Sequence, residues 1–168
     1  MHIERGFVFD PSLVLYLPFD KLDGVAFQSK DAYGHLCTNN GAVWNFNGLK
    51  FDGVDDYVQV KDVTWFDGRI PWSIDLWAKS PAYTAKYCRL LSDEAANREP
   101  LDIIRSITAN SFTLELREVG GGWIAGASNS FIPEVWFHAV WTYNGTILIP
   151  YKDCVRGTAS SSTLTPGP

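Results

Sequence analysis

The sequence contains no apolar run that could span a bilayer, and its few cysteines lack metal-binding spacing. A membrane-spanning helix needs about 18 or more consecutive apolar residues, and nothing in the 168 residues approaches that length. Residues 1–10 carry no apolar core of the signal-peptide type, so we expect any export signal to lie outside this chain. Cys37, Cys88 and Cys154 form no Cys-x-x-Cys pair, which leaves one disulfide with three possible pairings and supports no zinc or redox motif.

Positive charge is also scarce. The chain has 14 Lys and Arg residues against 19 Asp and Glu residues, a formal net charge of −5 at pH 7. The basic residues form no cluster beyond isolated pairs, so the patch that binds a phosphate backbone is absent from the sequence. We therefore expect no nucleic-acid partner.

Aromatic residues are abundant instead, with 7 Trp, 7 Tyr and 10 Phe. They favour β-structure, because flat side chains pack well on a pleated surface, and they also form ligand platforms. The hydrophobic content of 46% and the charged content of 20% are typical of a folded globular domain.

Apolar and polar residues alternate at the period of β-strands, and no stripe at helical spacing lasts three turns. In 72–79 the side chains of Asp75 and Trp77 fall on the polar face, and in 111–117 Glu115 is expected to face outward. The pattern predicts an all-β fold, with strands at 13–17, 72–79, 111–117, 135–143 and 146–152.

Turn residues divide the second half of the chain. Asn144-Gly145 predicts a tight hairpin with a type I′ turn, which needs two residues that tolerate positive φ. Pro150 in the second arm has no N–H, so we expect it at an edge, a bulge or a position whose amide faces away from the ladder. Residues 159–168 are rich in Ser, Thr and Pro and are expected to form a flexible tail.

Several segments, taken in chain order, resemble one family. They lie at 15–20, 31–35, 41–44, 51–58, 73–79, 136–145 and 151–158. Together they are similar to concanavalin A-like, laminin-G-like jelly-roll domains of the lectin, glucanase and pentraxin type. The resemblance implies a two-sheet antiparallel sandwich over 13–158, with 1–12 as an N-terminal extension.

The family continues past the match to Gly157-Thr158 with a closing strand beside the first strand, and this sequence has no such segment. We expect a fragment, closure by residues 3–9, or closure by a partner chain. An open edge beside 13–17 would favour strand exchange and a homo-oligomer.

The resemblance also implies a Ca²⁺ site, which requires six to eight oxygen ligands. Asp31 and Gly34 match positions of the family's calcium loop and Asp20 is close in the pattern, although Tyr33 replaces a small residue. The alternative is that Asp31 and Gly34 only form a turn. Turn formation is also the favoured interpretation of the acidic cluster Asp52, Asp55 and Asp56.

No catalytic motif is present. Related glucanases carry Glu-x-Asp-x-x-Glu on one strand, whereas Arg117 stands between Glu115 and Glu118 where the middle Asp should be. No Gly-x-Ser-x-Gly elbow occurs. His138 is expected to be a packed, hydrogen-bonded residue rather than a base. We expect a non-enzyme, with a degenerate glycoside hydrolase as the least favoured alternative.

Trp77 is the main candidate for ligand binding, because an aromatic ring beside Asp75 can stack on a pyranose. The alternative is a loop that covers Trp77 and makes it part of the core. Tyr33, Trp65 and Trp123 fall in predicted loops, which carry binding function on rigid sandwiches.

The sequence therefore predicts a non-catalytic recognition domain that binds glycans or proteins outside the cell, at a cell or virion surface. The alternative is a structural assembly subunit of a filament, capsid or tail, in which a neighbouring chain completes the sandwich.

Overall fold

The computed structural model describes residues 10–20, 22–61, 70–82, 88–92, 101–106, 109–117 and 123–161. Within these ranges the helix and strand assignments are all strand, every strand pair is antiparallel, and no helix has the length and apolar character to span a membrane. This confirms the predicted all-β class. The chain divides into two compact units, 1–66 and 67–168, where the sequence analysis expects one domain over 13–158.

The first unit contains a three-stranded sheet and a separate hairpin. The sheet has the order β1 (Ala26–Gln28), β2 (Leu36–Asn40) and β5 (Tyr57–Val60). The hairpin pairs β3 (Val43–Asn45) with β4 (Gly48–Lys50). Its Trp44 packs edge-on against Phe19 and Phe27, at ring-centroid distances of 6.0 and 5.5 Å.

The second unit contains two larger sheets. One has the order β10 (Trp123–Ser130), β9 (Ser111–Arg117), β8 (Leu101–Arg105) and β7 (Arg89–Ser92). The other has the order β13 (Val155–Arg156), β12 (Ile147–Lys152), β11 (Phe137–Tyr143) and β6 (Trp72–Ala78). A short strand β14 (Ser160–Ser161) also pairs with β12, so strand pairing reaches two residues of the expected tail.

Aromatic side chains join these two sheets into a sandwich. Phe137 of β11 stacks on Phe112 of β9 and on Phe131, at ring-centroid distances of 5.7 and 5.5 Å. The indole N–H of Trp141 donates to the Ala127 carbonyl of β10, 2.9 Å away. Trp141 is fully buried, and Phe112 and Phe137 are nearly so, each buried ring contributing about 1.5–3 kcal/mol of transfer free energy.

The predicted alternation determines which face of each strand is buried. In β9 the side chains of Phe112, Leu114 and Leu116 lie in the core, as predicted. In β6 Asp75 and Trp77 point outward, as predicted. The same period places every second residue of β11 in the core: Phe137, Ala139, Trp141 and Tyr143.

The predicted hairpin at 144–145 forms, but its turn is one residue displaced. The Asn144 amide donates to the Ile147 carbonyl, so Gly145 and Thr146 are the central residues, and only Gly145 has positive φ. Glycine at the first central position is typical of type II′ rather than type I′. The Asn144 side-chain oxygen accepts the N–H groups of Thr146 and Ile147, which places Asn144 at the start of the turn.

Pro150 lies in an internal strand, next to the point where the pairing of β12 with β13 ends. Its carbonyl accepts the N–H of Gly157, and the N–H and C=O of one strand residue point to the same side. On that side β12 pairs with β13 at Tyr151 and with β14 at Leu148, so the missing N–H falls between the two partners. The position that lacks an N–H therefore faces away from β11 and toward the side of β13 and β14.

The predicted first strand, 13–17, is wrong: these residues have no strand assignment and are half-buried. Isolated hydrogen bonds to the turn at 29–35 take the place of the regular hydrogen bonds between paired strands. The Tyr16 carbonyl accepts the N–H of Lys30, and the Asp31 carboxylate accepts the N–H of Tyr16. The Asp31 side chain therefore accepts the Tyr16 N–H, which strand pairing would otherwise have used.

Candidate functional site

The outer face of the sheet formed by β6, β11 and β12 brings together the polar and aromatic side chains of three strands. The register places Trp77 opposite His138, and Asp75 opposite Val140. Tyr151 of β12 is opposite Val140 on its other side, so Asp75, Val140 and Tyr151 form a row across the three strands. Opposing residues on antiparallel strands have Cβ atoms about 4.5–5.5 Å apart, so these side chains form one continuous surface.

Trp77 is a solvent-exposed aromatic platform. Its side chain stacks on His138 with ring centroids 4.9 Å apart and an interplanar angle of 15°. The residue is nevertheless 66% exposed, and no loop in the described ranges covers it. Because the His138 imidazole covers one face of the Trp77 indole, the exposed surface of Trp77 consists of the other face and the ring edge.

His138 is held from two directions. Its Nε2 lies 2.9 Å from Asp75 Oδ1, and its backbone N–H donates to Asp153 Oδ1 at 3.0 Å. This hydrogen bond lowers the pKa of Asp153 below its ordinary value, and neighbouring Lys152 lowers it further. The expectation of a hydrogen-bonded histidine is confirmed, although the ring packs on the outer face rather than in the core.

The turn between β12 and β13 forms one end of this surface. Its central residues, Asp153 and Cys154, both have positive φ, at 48° and 66°, the pattern of a type I′ turn built without glycine. Cys154 is exposed, whereas Cys37 is buried and burial raises the pKa of its thiol. All three cysteines lie in the described ranges, and no disulfide links them.

A shallow groove of about 280 Å³ runs along the same face. Its lining is His138, Val140, Thr142, Tyr151 and Cys154. The aliphatic and aromatic carbons supply an apolar floor, and the exposed carboxylate of Asp75 stands at the Trp77 end as a hydrogen-bond acceptor. An apolar floor with a few polar groups at its margin is the usual composition of a small-molecule site.

The other predicted ligand-binding residues do not join this surface in the described structure. Tyr33 belongs to the first unit, where its ring stacks on His35 at 5.7 Å and its hydroxyl donates to the Pro11 carbonyl. Trp65 lies outside the described residues. Trp123 begins β10 rather than lying in the predicted loop, and its side chain lies outside the described part of the structure.

Asp31 and Gly34, predicted as calcium ligands, form a turn. Burial raises the pKa of Asp31, but hydrogen bonds from Ser29 and from the backbone N–H groups of Tyr16, Tyr33 and Gly34 outweigh burial and lower it overall. Gly34 has a φ of 63° and donates its N–H to Asp31 Oδ1. These contacts match the turn-forming alternative, and Asp20 is an exposed residue.

The acidic cluster of the first unit also has turn geometry. Ligand atoms of Asp52, Asp55 and Asp56 lie within 4.8 Å of one another. Asp56 Oδ2 accepts the N–H of Asp52, and Asp52 Oδ1 accepts the N–H of Val54. The carboxylate of Asp56 also occupies the space beside Gly41 that a Cβ would need. Turn formation thus explains why these side chains converge.

A buried ionic group in the second unit is absent from the sequence predictions. Asp102 of β8 is opposite Glu115 of β9, and both residues are buried. The prediction that Glu115 faces solvent is therefore wrong. Arg89 Nε lies 3.3 Å from Asp102 Oδ1, so a cation from β7 accompanies the two carboxylates.

The chain matches no family model, no curated protein and no solved structure. The resemblance to concanavalin A-like domains therefore stays a sequence-based prediction, and the candidate site depends on its geometry alone. His138, Tyr151 and Asp153 are the residues of this site that sequence reasoning missed. Only the pairing of β6 with β11 could have revealed His138, because Trp77 and His138 lie more than sixty positions apart.

Proposed function

We propose that this protein is a non-catalytic recognition domain that binds a glycan on the outer face of β6, β11 and β12. The observation that carries the proposal is the exposed ring of Trp77, backed by His138 and flanked by Asp75. An aromatic ring presents an apolar face to the C–H groups of a pyranose, and adjacent carboxylates accept hydrogen bonds from its hydroxyls.

The surroundings of Trp77 favour preorganised binding. Stacking on His138 restrains the indole, and the Asp75 contact restrains the imidazole in turn. A restrained platform loses less side-chain entropy when a ligand binds. In the proposed complex one sugar ring lies on Trp77, and the next extends along the groove toward Tyr151.

The proposal includes a jelly-roll connection of the sheets and a location at a cell or virion surface, both supported by the sequence resemblance. The proposal does not include Ca²⁺, because the predicted calcium ligands Asp31, Gly34 and Asp20 belong to the first unit and none is assigned a contact with the sugar. A wild-type glycan signal that disappears with EDTA would bring Ca²⁺ into the proposal.

A glycan array followed by calorimetry on the strongest hit tests this function. Trp77→Ala should weaken binding at least tenfold, since stacking on an aromatic ring contributes on the order of 1–3 kcal/mol. Phe46→Ala is the matched control, because Phe46 is a fully exposed aromatic in the other unit. Equal losses in the two variants, or an array without wild-type signal in both Ca²⁺ and EDTA, would reject the proposal.

An assembly subunit is the second candidate function. The observation that favours it is the exposure of large apolar residues in the first unit: Leu22 at 76%, Val43 at 62%, Phe46 at 105% and Val54 at 77%. Val43 and Phe46 share the β3–β4 hairpin, and contiguous exposed apolar patches often mark protein–protein contacts. In this function the same chain would bury these residues against a neighbouring copy.

A further inference from the structure

A second cleft, of about 360 Å³, lies at the edge of the sandwich in the second unit. It opens between β10 of one sheet and the β12–β13 hairpin of the other. The polar residues that line it are Ser128, Asn129, Ser130, Lys152, Asp153 and Arg156. Of these residues, only Asp153 also contacts the proposed glycan platform. Its Oδ1 accepts the backbone N–H of His138.

The cleft carries positive charge in a chain whose net charge is −5. Lys152 and Arg156 face one carboxylate, Asp153, whose Oδ2 lies 3.3 Å from Lys152 Nζ. Arg156 is exposed, and in the described part of the chain no carboxylate pairs with it. Its guanidinium is therefore available to an external anion.

Asn129 supplies an independent indication of a ligand. In β10 it pairs with the core residue Phe112, so its side chain points inward, and only 4% of the residue is exposed. Its Nδ2 nevertheless has no hydrogen-bond acceptor. Buried amide donors are almost always paired, because an unpaired one loses its hydration without compensation. Asn129 Nδ2 lines the cleft as a donor without an acceptor, which indicates that a ligand supplies the acceptor.

We propose that this cleft binds an oxyanion: a sulfate, phosphate or carboxylate group. Arg156 would supply the planar fork that binds two oxygens at once, and Lys152 would supply a point charge. Asn129 Nδ2 would donate to a remaining oxygen. The Arg156, Lys152 and Asn129 nitrogens are donors only, and Lys152 offsets the charge of the Asp153 carboxylate that also lines the cleft, so the site favours an acceptor-only ligand over a neutral hydroxyl compound.

The test is a titration of the ¹⁵N-labelled full chain with sodium sulfate, at an ionic strength held constant with sodium chloride. The Asn129 side-chain amide and the Arg156 Nε–H report on the two sides of the cleft. We expect saturable shifts of both signals, and at least about a tenfold weaker dissociation constant in Arg156→Gln, because a charge-assisted bidentate contact is lost. Phosphate and acetate titrations distinguish which oxyanion the site prefers.

Lys50→Gln is the control, since Lys50 is an exposed cation on β4 of the other unit. Shifts that grow without saturation, or that weaken equally in Lys50→Gln and Arg156→Gln, would show general charge screening and overturn the proposal. An unshifted Asn129 amide would overturn it as well. The Trp77→Ala variant should titrate like the wild type, so failure of the glycan proposal leaves this test intact.

Discussion

At the residue scale, two carboxylates that look alike in the sequence have different physical roles. Asp31 is buried and accepts the N–H groups of Tyr16, Tyr33 and Gly34. Asp75 is mostly exposed and contacts only His138 among the hydrogen bonds of the described residues. The number of N–H groups that donate to the carboxylate, rather than the residue type, therefore distinguishes a turn-forming carboxylate from one that is available to bind a ligand.

The lowered pKa of Asp31 predicts an acid-sensitive fold. A carboxylate whose folded pKa lies below its ordinary value of 3.8 stabilises the fold above that value, and the contribution is lost as pH falls through the folded pKa. Asp31→Asn should lower the free energy of unfolding by about 1–3 kcal/mol at neutral pH and flatten its decline in acid. Urea denaturation from neutral pH to below pH 3.8 measures both the loss of stability and its decline in acid. Asp55→Asn is the control, because Asp55 is exposed. Identical acid profiles in wild type and Asp31→Asn would contradict the prediction.

The ion pair of Arg89 and Asp102 should stabilise the second unit. Removing Arg89 leaves the carboxylate of Asp102, whose side chain is 1% exposed, without its cation. Because Arg89 is itself 48% exposed, we expect Arg89→Met to lower the free energy of unfolding by only about 1–2 kcal/mol. Lys30→Met, which breaks the exposed pair with Asp23 at 3.8 Å, should change it by less than about 0.5 kcal/mol in the same denaturation series. Equal effects of the two substitutions would show that burial of Asp102 is unimportant.

At the element scale, turn chemistry decides how β12 meets its partners. Asp153 and Cys154 adopt the left-handed region although neither is glycine, which costs roughly 1–2 kcal/mol per residue. The surrounding pairs, Lys152 with Val155 and Tyr151 with Arg156, hold the hairpin closed against this cost. The strained turn positions the oxygens of Asp153 between His138 and Lys152, and so it shapes both proposed sites.

Replacing Cys154 by glycine should relieve this strain. We expect Cys154→Gly to raise the free energy of unfolding by about 0.5–1 kcal/mol, and Cys154→Ala to leave it nearly unchanged because alanine keeps the same penalty. Gly145→Ala should act in the opposite direction, since Gly145 has a φ of 95° in the neighbouring turn. Thermal melts of the three variants measure this order, and a stabilised Cys154→Ala would assign the effect to the thiol instead.

At the scale of the whole molecule, the exposed apolar residues of the first unit predict self-association. Light scattering over a concentration series, with Ca²⁺ and with EDTA, should show a mass that rises with concentration if these residues bind a second copy. Phe46→Ser should reduce that rise, whereas Trp77→Ala should not, because Trp77 belongs to the other unit. A mass that stays monomeric at every concentration would reject the assembly function.

Alternation of apolar and polar residues predicted β6, β9, β11 and β12 by itself, because a period of two fixes which side chains share a face of a strand. It correctly placed the core residues of β9 and the outward direction of Trp77. Asn144 and Gly145 likewise marked a hairpin, since few residues other than glycine enter the positive-φ region without cost. These are local properties, and neighbouring residues suffice to predict them.

Only the tertiary structure decided which distant residues became partners. The pairing of β6 with β11 set His138 beside Trp77, and the pairing of β8 with β9 set Asp102 beside Glu115. In the first unit, the hydrogen bond from the Tyr16 N–H to the Asp31 carboxylate took the place of strand pairing in the expected strand at 13–17. Strand register depends on the packing and hydrogen bonding of the complete sheet, which no single strand's sequence contains.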